Sequence, residues 1–222
     1  MRPKESLTWL AYRVEPLRRL MDRPYPYWLT PGELSYLVHA IDATREAGTS
    51  ILEIGVGRGR TSAFLLEHLR RTGDPRSLVC IDTFSGFTND SVEFEVTRRA
   101  KRRRDLDVFR YGNRAIFERS LRSQGYEQVR VIEADASTLD FGTFAPIGVV
   151  LLDIDLYQPT IACLDRIEPH LAPEAFVLVD DCRPGLAWDG SLQAYHEFMA
   201  ARGVDPRIVG GKGGVFERRA AG

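Results

Sequence analysis

Cysteine is scarce in this chain, net charge is almost absent, and there is no long apolar run. Each shortage removes a class of protein. Cys80, Cys163 and Cys182 are the only cysteines. Three cannot all pair within one chain and none forms a C-x-x-C. Neither a disulfide framework nor a zinc–thiolate site is expected, and a reducing compartment is favoured. Thirty Lys and Arg stand against 31 Asp and Glu, a formal net charge of −1. That balance supplies no global field to hold a polyanion, so a dedicated nucleic-acid binder is not expected. The apolar runs around Gly148–Leu152 and Ala175–Val179 are far shorter than the ~20 residues that span a bilayer. Residues 1–20 carry charges throughout and lack the apolar core of a signal peptide. The expectation is a cytoplasmic protein with no membrane partner.

The composition that remains, 44% hydrophobic and 27% charged, is that of a globular protein and excludes wholesale disorder. A length of 222 residues suits one domain with a sizeable core. Residues 1–29, irregular and ending Pro24-Tyr25-Pro26-Tyr27-Trp28, read as an N-terminal arm. Such an arm would pack on the main domain, on a second copy of the chain, or over an active site; a homo-oligomer is left open. Residues 30–222 read as the domain itself. It opens on Thr30-Pro31-Gly32-Glu33, a capping box with proline at the first helical position.

From Ser50 onward, short Val/Ile/Leu-rich segments alternate with helical ones. Strands are expected at Ser50–Ile54, Leu78–Ile81, Val129–Glu133, Gly148–Leu152 and Phe176–Val179. Helices are expected over Thr61–Arg71, Asn113–Ser123, Thr160–Leu171 and Ser191–Arg202. Strands apolar at successive positions predict a mostly parallel sheet with helices on both faces. Two short runs, Arg207–Val209 and Val215–Arg218, predict a terminal hairpin across a glycine-rich turn.

Three constellations carry chemistry. Glu53-Ile54-Gly55-Val56-Gly57-Arg58-Gly59-Arg60-Thr61 ends the first strand and opens a helix. Glycines there allow a sharp turn and close approach of a ligand, and the helix start favours a negative group. The third glycine of a dinucleotide fingerprint is replaced by Arg60, and an acid beside a pyrophosphate would be repulsive. A cofactor bearing an ammonium and a sulfonium tolerates Glu53. Next, Asp82 follows the second strand, where an acid can accept both hydroxyls of a ribose. Last, Asp153-Ile154-Asp155-Leu156-Tyr157 and Asp180-Asp181-Cys182 each follow an apolar strand. Residues two apart in extended chain share a side, so Asp153 and Asp155 are expected to point together. Four converging carboxylates with no obvious cationic partner would repel, and a hard divalent cation such as Mg²⁺ relieves that.

The order E-x-G-x-G-x-G, then Asp82-Thr83-Phe84-Ser85-Gly86-Phe87, then D-I-D-L-Y, then V-D-D resembles the class I S-adenosylmethionine (SAM)-dependent methyltransferases. More narrowly it resembles the macrocin O-methyltransferase family, metal-dependent enzymes that methylate sugar hydroxyls in antibiotic biosynthesis. The resemblance implies a Rossmann-like fold with an antiparallel last strand. It implies that Glu53, Gly55, Gly57, Gly59 and Thr61 hold the methionine end of SAM. Asp82, with Thr83 beside it, would hold the ribose, and Asp135 and Ala136 would form the adenine turn. Asp153, Asp180 and Asp181 would bind Mg²⁺, and Asp155 would be the general base. The acceptor would be a small molecule bearing a diol, such as a natural-product sugar or a nucleotide-linked sugar. A catechol-type O-methyltransferase and a non-catalytic SAM-binding subunit are the rival readings.

Other signals are weaker. Arg98-Arg99-Ala100-Lys101-Arg102-Arg103-Arg104 reads as a solvated insertion balanced by nearby acids, with docking of an anionic acceptor as the alternative. His39 and His68 read as structural, and His196 and Cys182 carry no recognisable catalytic partner.

Overall fold

The computed structural model describes residues 13–14, 25–186 and 188–219. Most of the arm, residues 1–12 and 15–24, therefore lies outside the described residues. Its described end packs inward. Leu29 is buried, the Tyr25 hydroxyl donates to the Leu29 carbonyl at 2.9 Å, and Tyr27 meets Phe64 edge to face.

Helix α1 (Pro31–Ala43) starts where the sequence predicts. The Thr30 backbone N–H and hydroxyl both donate to Glu33 Oε2, at 2.7 and 2.8 Å. The chain then runs β1 (Ser50–Ile54), α2 (Arg60–Thr72), β2 (Leu78–Asp82), α3 (Asn89–Arg98), the single turn α4 (Arg103–Leu106), α5 (Arg114–Ser123) and β3 (Val129–Glu133). Two 3₁₀ turns lead to β4 (Ile147–Leu152), α6 (Tyr157–Ile167), β5 (Leu171–Val179), α7 (Gly190–Ala201), β6 (Arg207–Val209) and β7 (Gly213–Glu217). One sheet of order β3-β2-β1-β4-β5-β7-β6 joins them. Strands β1 to β5 are parallel, and β7 runs antiparallel to both β5 and β6. The Rossmann-like arrangement and its antiparallel last strand are as expected.

Side-chain alternation along the strands builds two cores. Ile51, Val149, Leu151 and Leu178 face α1, α2 and α5 on one side. Leu52, Val150, Leu152, Val177 and Val179 face α6 and α7 on the other. A strand covered on both faces must be apolar at every position, which is why these strands were readable.

Some boundaries differ from the local pattern, for tertiary reasons. Helix α6 begins at Tyr157, not Thr160, because Glu95 Oε1 accepts from the Tyr157 backbone N–H at 2.8 Å and satisfies the helix start. It ends at Ile167, where Glu168–His170 tightens into a 3₁₀ turn containing Pro169. Strand β5 begins at Leu171, five residues early, because Leu171 pairs with Ile147 across an irregular register. Helices α3 and α4 occupy the insertion between β2 and β3, which the sequence pattern left unassigned.

The chain leaves β1 toward β2 and β3, then returns to place β4 on the other side of β1. At such a switch point the loops after neighbouring strands diverge, and a crevice opens at the carboxyl ends of the strands.

Candidate active site

A cavity of 560 Å³ occupies that crevice, walled by the loops that follow β1 to β5. It brings together residues from all three constellations: the glycine turn, the segment at Asp82 and the two acidic motifs.

The three loop glycines do three different things. All have positive φ: +85° at Gly55, +50° at Gly57 and +73° at Gly59. A Cβ on Gly55 would stand 1.8 Å from the Asp153 carbonyl oxygen, so this glycine lets the β1 loop lie against the β4 loop. A Cβ on Gly59 would strike the Phe117 ring at 2.7 Å. Gly59 is the left-handed N-cap of α2 and is set back from the cavity wall, between Arg58 and Arg60, which line it. Only Gly57 has nothing within 4 Å of a built Cβ, and it faces the cavity. Thr61, in the first turn of α2, also lines the wall, where unpaired backbone N–H groups favour a carboxylate.

Glu53 is buried at the end of β1, within 3.5 Å of the Cys80 thiol, and it lines the same cavity. Burial pushes its carboxyl up to about 8. Asp82 ties two loops: Oδ2 accepts from the Val56 N–H at 2.9 Å and Oδ1 from the Phe84 N–H at 2.7 Å. Each oxygen keeps a second lone pair for a ligand. The Thr83 hydroxyl donates to the Gly86 carbonyl at 2.7 Å, closing the turn after β2. Asp135 Oδ1 caps the turn Ala136–Thr138 by accepting from Ser137, and both Asp135 and Ala136 lie on the wall.

All four aspartates of the acidic motifs reach the cavity. The reason differs from the one expected. Asp153 and Asp155 lie past the end of β4, and Asp155 is left-handed at φ +61°, so strand alternation does not orient them. The N-terminus of α7 holds Asp155, where the Ser191 N–H donates to its carbonyl at 3.0 Å and a Cβ on Gly190 would strike that carbonyl at 2.7 Å. Asp153 is tied to β1 by its N–H, which donates to the Ile54 carbonyl at 2.8 Å. Burial comes first, then repulsion from Asp180 and from Asp155, in pushing Asp153 well above the usual carboxylate range. Burial and Asp181 do the same to Asp155.

A cation partner exists that the sequence reading missed. Lys212, in the turn between β6 and β7, donates to Asp180 Oδ2 at 2.7 Å and Asp181 Oδ1 at 2.8 Å. Its signal was there: it sits inside the glycine-rich turn expected between the last strands. On the far side, Glu33 of α1 is fully buried against Asp180. Burial and the Glu33 carboxyl raise Asp180 to about 7, and Asp180 Oδ1 has no partner. Among the described residues, no three His, Cys, Asp or Glu side chains already form a metal-holding group.

The weaker signals resolve plainly. Most of the basic run is spent in ion pairs: Arg99 and Lys101 with Asp189, Arg102 with Asp105, Arg103 with Glu93. None of its residues lines the cavity. Glu95 is a counter-charge but a buried one: it pairs with Arg99 at 2.6 Å and also caps α6. His68 bonds Asp42 at 2.7 Å, and His196 is exposed outside the cavity. The Cys182 thiol is buried and pushed up to about 12, so it is no ready nucleophile. The three cysteines are all free and buried. Among the described residues, no helix is long and apolar enough to cross a membrane.

Comparison with known proteins agrees with this geometry. A family model described as "Methyltransferase domain" matches residues 52–182. The chain is 30% identical, over 98% of its length and 91% of the relative's, to a Streptomyces olivaceus protein. That protein is named 8-demethyl-8-(2,3-dimethoxy-alpha-L-rhamnosyl)-tetracenomycin-C 4'-O-methyltransferase. The structure of the O-methyltransferase NovP superposes with a TM-score of 0.70 at 20% identity, over 85% of this chain and 80% of that one. CalS11, a calicheamicin methyltransferase, superposes with a TM-score of 0.64 at 22% identity, over 98% and 93%. Its apo form is described as a TDP-rhamnose 3'-O-methyltransferase. With the switch-point cavity, the glycine turn and the conserved length of the match taken together, the chain belongs to the methyltransferase-domain family and is a SAM-dependent O-methyltransferase.

Proposed function

We propose that this chain methylates a sugar hydroxyl of a natural-product glycoside in the manner of the macrocin-type enzymes, using Mg²⁺. One observation carries the reading. Aspartates from the ends of two neighbouring strands line the same cavity as the glycine turn and Asp82. The sugar is supported by the 30% identical relative, whose name specifies a rhamnosyl 4'-O-methyl transfer.

The residues fit SAM. The open space over Gly57 admits a ligand against the backbone, and Asp82 retains acceptor capacity for ribose hydroxyls. Glu53 would face the cofactor's ammonium, and Thr61 its carboxylate, with Thr83, Asp135 and Ala136 around the nucleoside. SAM supplies an electrophilic methyl group. The protein's task is to hold an acceptor oxygen in line with it, exclude water and take the proton.

The donor set fits Mg²⁺ in chemistry: hard carboxylate oxygens, one of them buried and unpartnered on Asp180. Asp153, Asp180 and Asp181 would hold the ion, with Lys212 giving way. The ion would lower the pKa of an acceptor hydroxyl. Asp155 would receive the proton, its position set by the α7 N-terminus. Residues 30–222 form the catalytic domain in this reading, with residues 1–29 an arm that ends at the cavity through Trp28.

The test is methyl transfer from labelled SAM to simple rhamnosides and to catechol, with and without EDTA. Transfer to the glycosides that stops in EDTA and returns with Mg²⁺ is expected. Transfer to catechol alone would replace the sugar reading with its rival, and full activity in EDTA would remove the metal.

A further inference from the structure

Five aromatic rings gather on the wall of the catalytic cavity, and the chemistry assigned so far uses none of them. Phe109 is the hub. Its ring lies 5.4 Å from Phe87, 5.4 Å from Trp188, 6.3 Å from Trp28 and 6.3 Å from Tyr111. All five line the cavity that holds the aspartates. They come from separate places: the segment before α1, the insertion between β2 and β3, and the loop after β5. The insertion and both flanking segments therefore converge on one surface.

Two features separate this cluster from an ordinary minor core. First, its outer rings are not covered. Trp28 is 59% exposed and Tyr111 50% exposed at the cavity's edge. Large aromatic surface left open beside an active site marks a binding surface more than packing. Second, the cluster abuts the candidate base. Leu156, which follows Asp155, is buried in a small core against which Phe87 and Trp188 pack. The Trp188 indole N–H donates to the Asp105 carbonyl at 2.7 Å, which fixes that ring's plane.

The rings, not the charges, separate the possible carriers of the sugar. An acceptor bearing a diphosphate needs unspent cations, and the basic run 98–104 does not reach this wall. Of the cations that do, Arg58 lies over the Tyr111 ring at 4.9 Å, and Arg60 donates to the Pro26 carbonyl. Lys212 is held by Asp180 and Asp181, while Arg58, Arg60 and the exposed Arg183 line the wall in no ion pair with a carboxylate among the described residues.

We propose that these rings form an aglycone subsite, so that the sugar is methylated after it has been attached to a flat aromatic ring system. The inference rests on the sugar O-methyltransferase reading and extends it. It places a glycosyl transfer to the aglycone before this step.

The test compares one sugar on three carriers: 1-naphthyl α-L-rhamnoside, methyl α-L-rhamnoside and a nucleoside-diphosphate rhamnose. Turnover with labelled SAM is expected to favour the naphthyl glycoside over the methyl glycoside by at least about tenfold in kcat/KM, mostly through KM. Phe109→Ala and Trp28→Ala shrink that ratio toward one. Calorimetry in the presence of S-adenosylhomocysteine reads the subsite without turnover: the naphthyl glycoside binds at least about tenfold tighter than the methyl glycoside, and Trp28→Ala removes the difference. Equal binding of the two, or tighter binding of the nucleotide sugar, overturns the subsite and leaves sugar methylation standing. Ring-dependent binding with no methyl transfer to any carrier supports the subsite and overturns the sugar reading instead.

Discussion

At Asp155 the question is whether a carboxylate at this point acts as base or as ligand. Asn keeps the shape and removes the basicity. Asp155→Asn is expected to lower turnover by about 10²–10⁴-fold, while calorimetry finds SAM affinity nearly unchanged. Unchanged turnover would remove Asp155 from the mechanism. Lys212 supports the opposite side of the cluster. Lys212→Met leaves Asp180 and Asp181 without their cation and is expected to cost about 2–3 kcal/mol of stability, since it breaks a mostly buried pair. Added Mg²⁺ should recover more melting temperature in this variant than in the parent; equal shifts would argue that the ion does not bind here. Glu53 gives a pH signature. Its carboxyl titrates near 4.5 when unfolded and near 8 in the fold. Between those values the unfolded chain has lost a proton that the folded chain keeps, so stability falls as pH rises and levels off above 8. Glu53→Gln removes that slope. Relative to the parent it should gain about 3–4 kcal/mol between pH 5 and pH 8, read from denaturation at both.

The turn between β1 and α2 is one short motif with divided duties, and alanine separates them. Gly55→Ala puts a methyl 1.8 Å from the Asp153 carbonyl, at a φ of +85°. The contact is backbone on backbone, so β1 and β4 must part; loss of soluble folded protein, or a fall of more than about 4 kcal/mol, is expected. Gly57→Ala meets nothing within 4 Å and carries only the cost of a left-handed alanine, about 1 kcal/mol. Its methyl would enter the open space where SAM is proposed to lie. The expected result is a folded protein with a nearly normal melting temperature and weakened SAM binding. Normal SAM affinity in Gly57→Ala would show that the cofactor does not approach this loop.

Across the whole molecule, ligand and acid act on one cooperative unit. S-adenosylhomocysteine at a hundredfold excess over its Kd adds about 2.7 kcal/mol, which for a chain of this size raises the melting temperature by about 5–10 °C. Absence of any shift would contradict a preformed cofactor site. The acid limb is governed by groups of the other sign from Glu53. Burial opposes ionisation of Asp74, but hydrogen bonds from Arg76 outweigh it and hold the carboxyl below its usual range. A depressed carboxylate contributes stability above its unfolded pKa, near 3.8, and that contribution is lost as pH falls through the folded value.

The sequence by itself determined the sheet, the glycine turn and the acids at the strand ends, because each is a local pattern. Strands buried on both faces are apolar at every position, glycines mark the turn, and paired acids mark the strand ends. It did not reach Lys212, Glu33 or Glu95. Lys212 and Glu33 lie 31 and 147 residues from the nearer and farther aspartates they serve, Asp181 and Asp180. Glu95 lies 62 residues from the helix start that it caps. Their local motifs, a capping box for Glu33 and a glycine-rich turn for Lys212, do not say which distant group each one meets. The five rings escaped for the same reason, since only folding draws the arm, the insertion and the β5 loop onto one wall. Pattern along a chain reports what each segment buries; which segments meet is decided by the crossing at β1 and β4, and with it the shape of the cavity and the acceptor it admits.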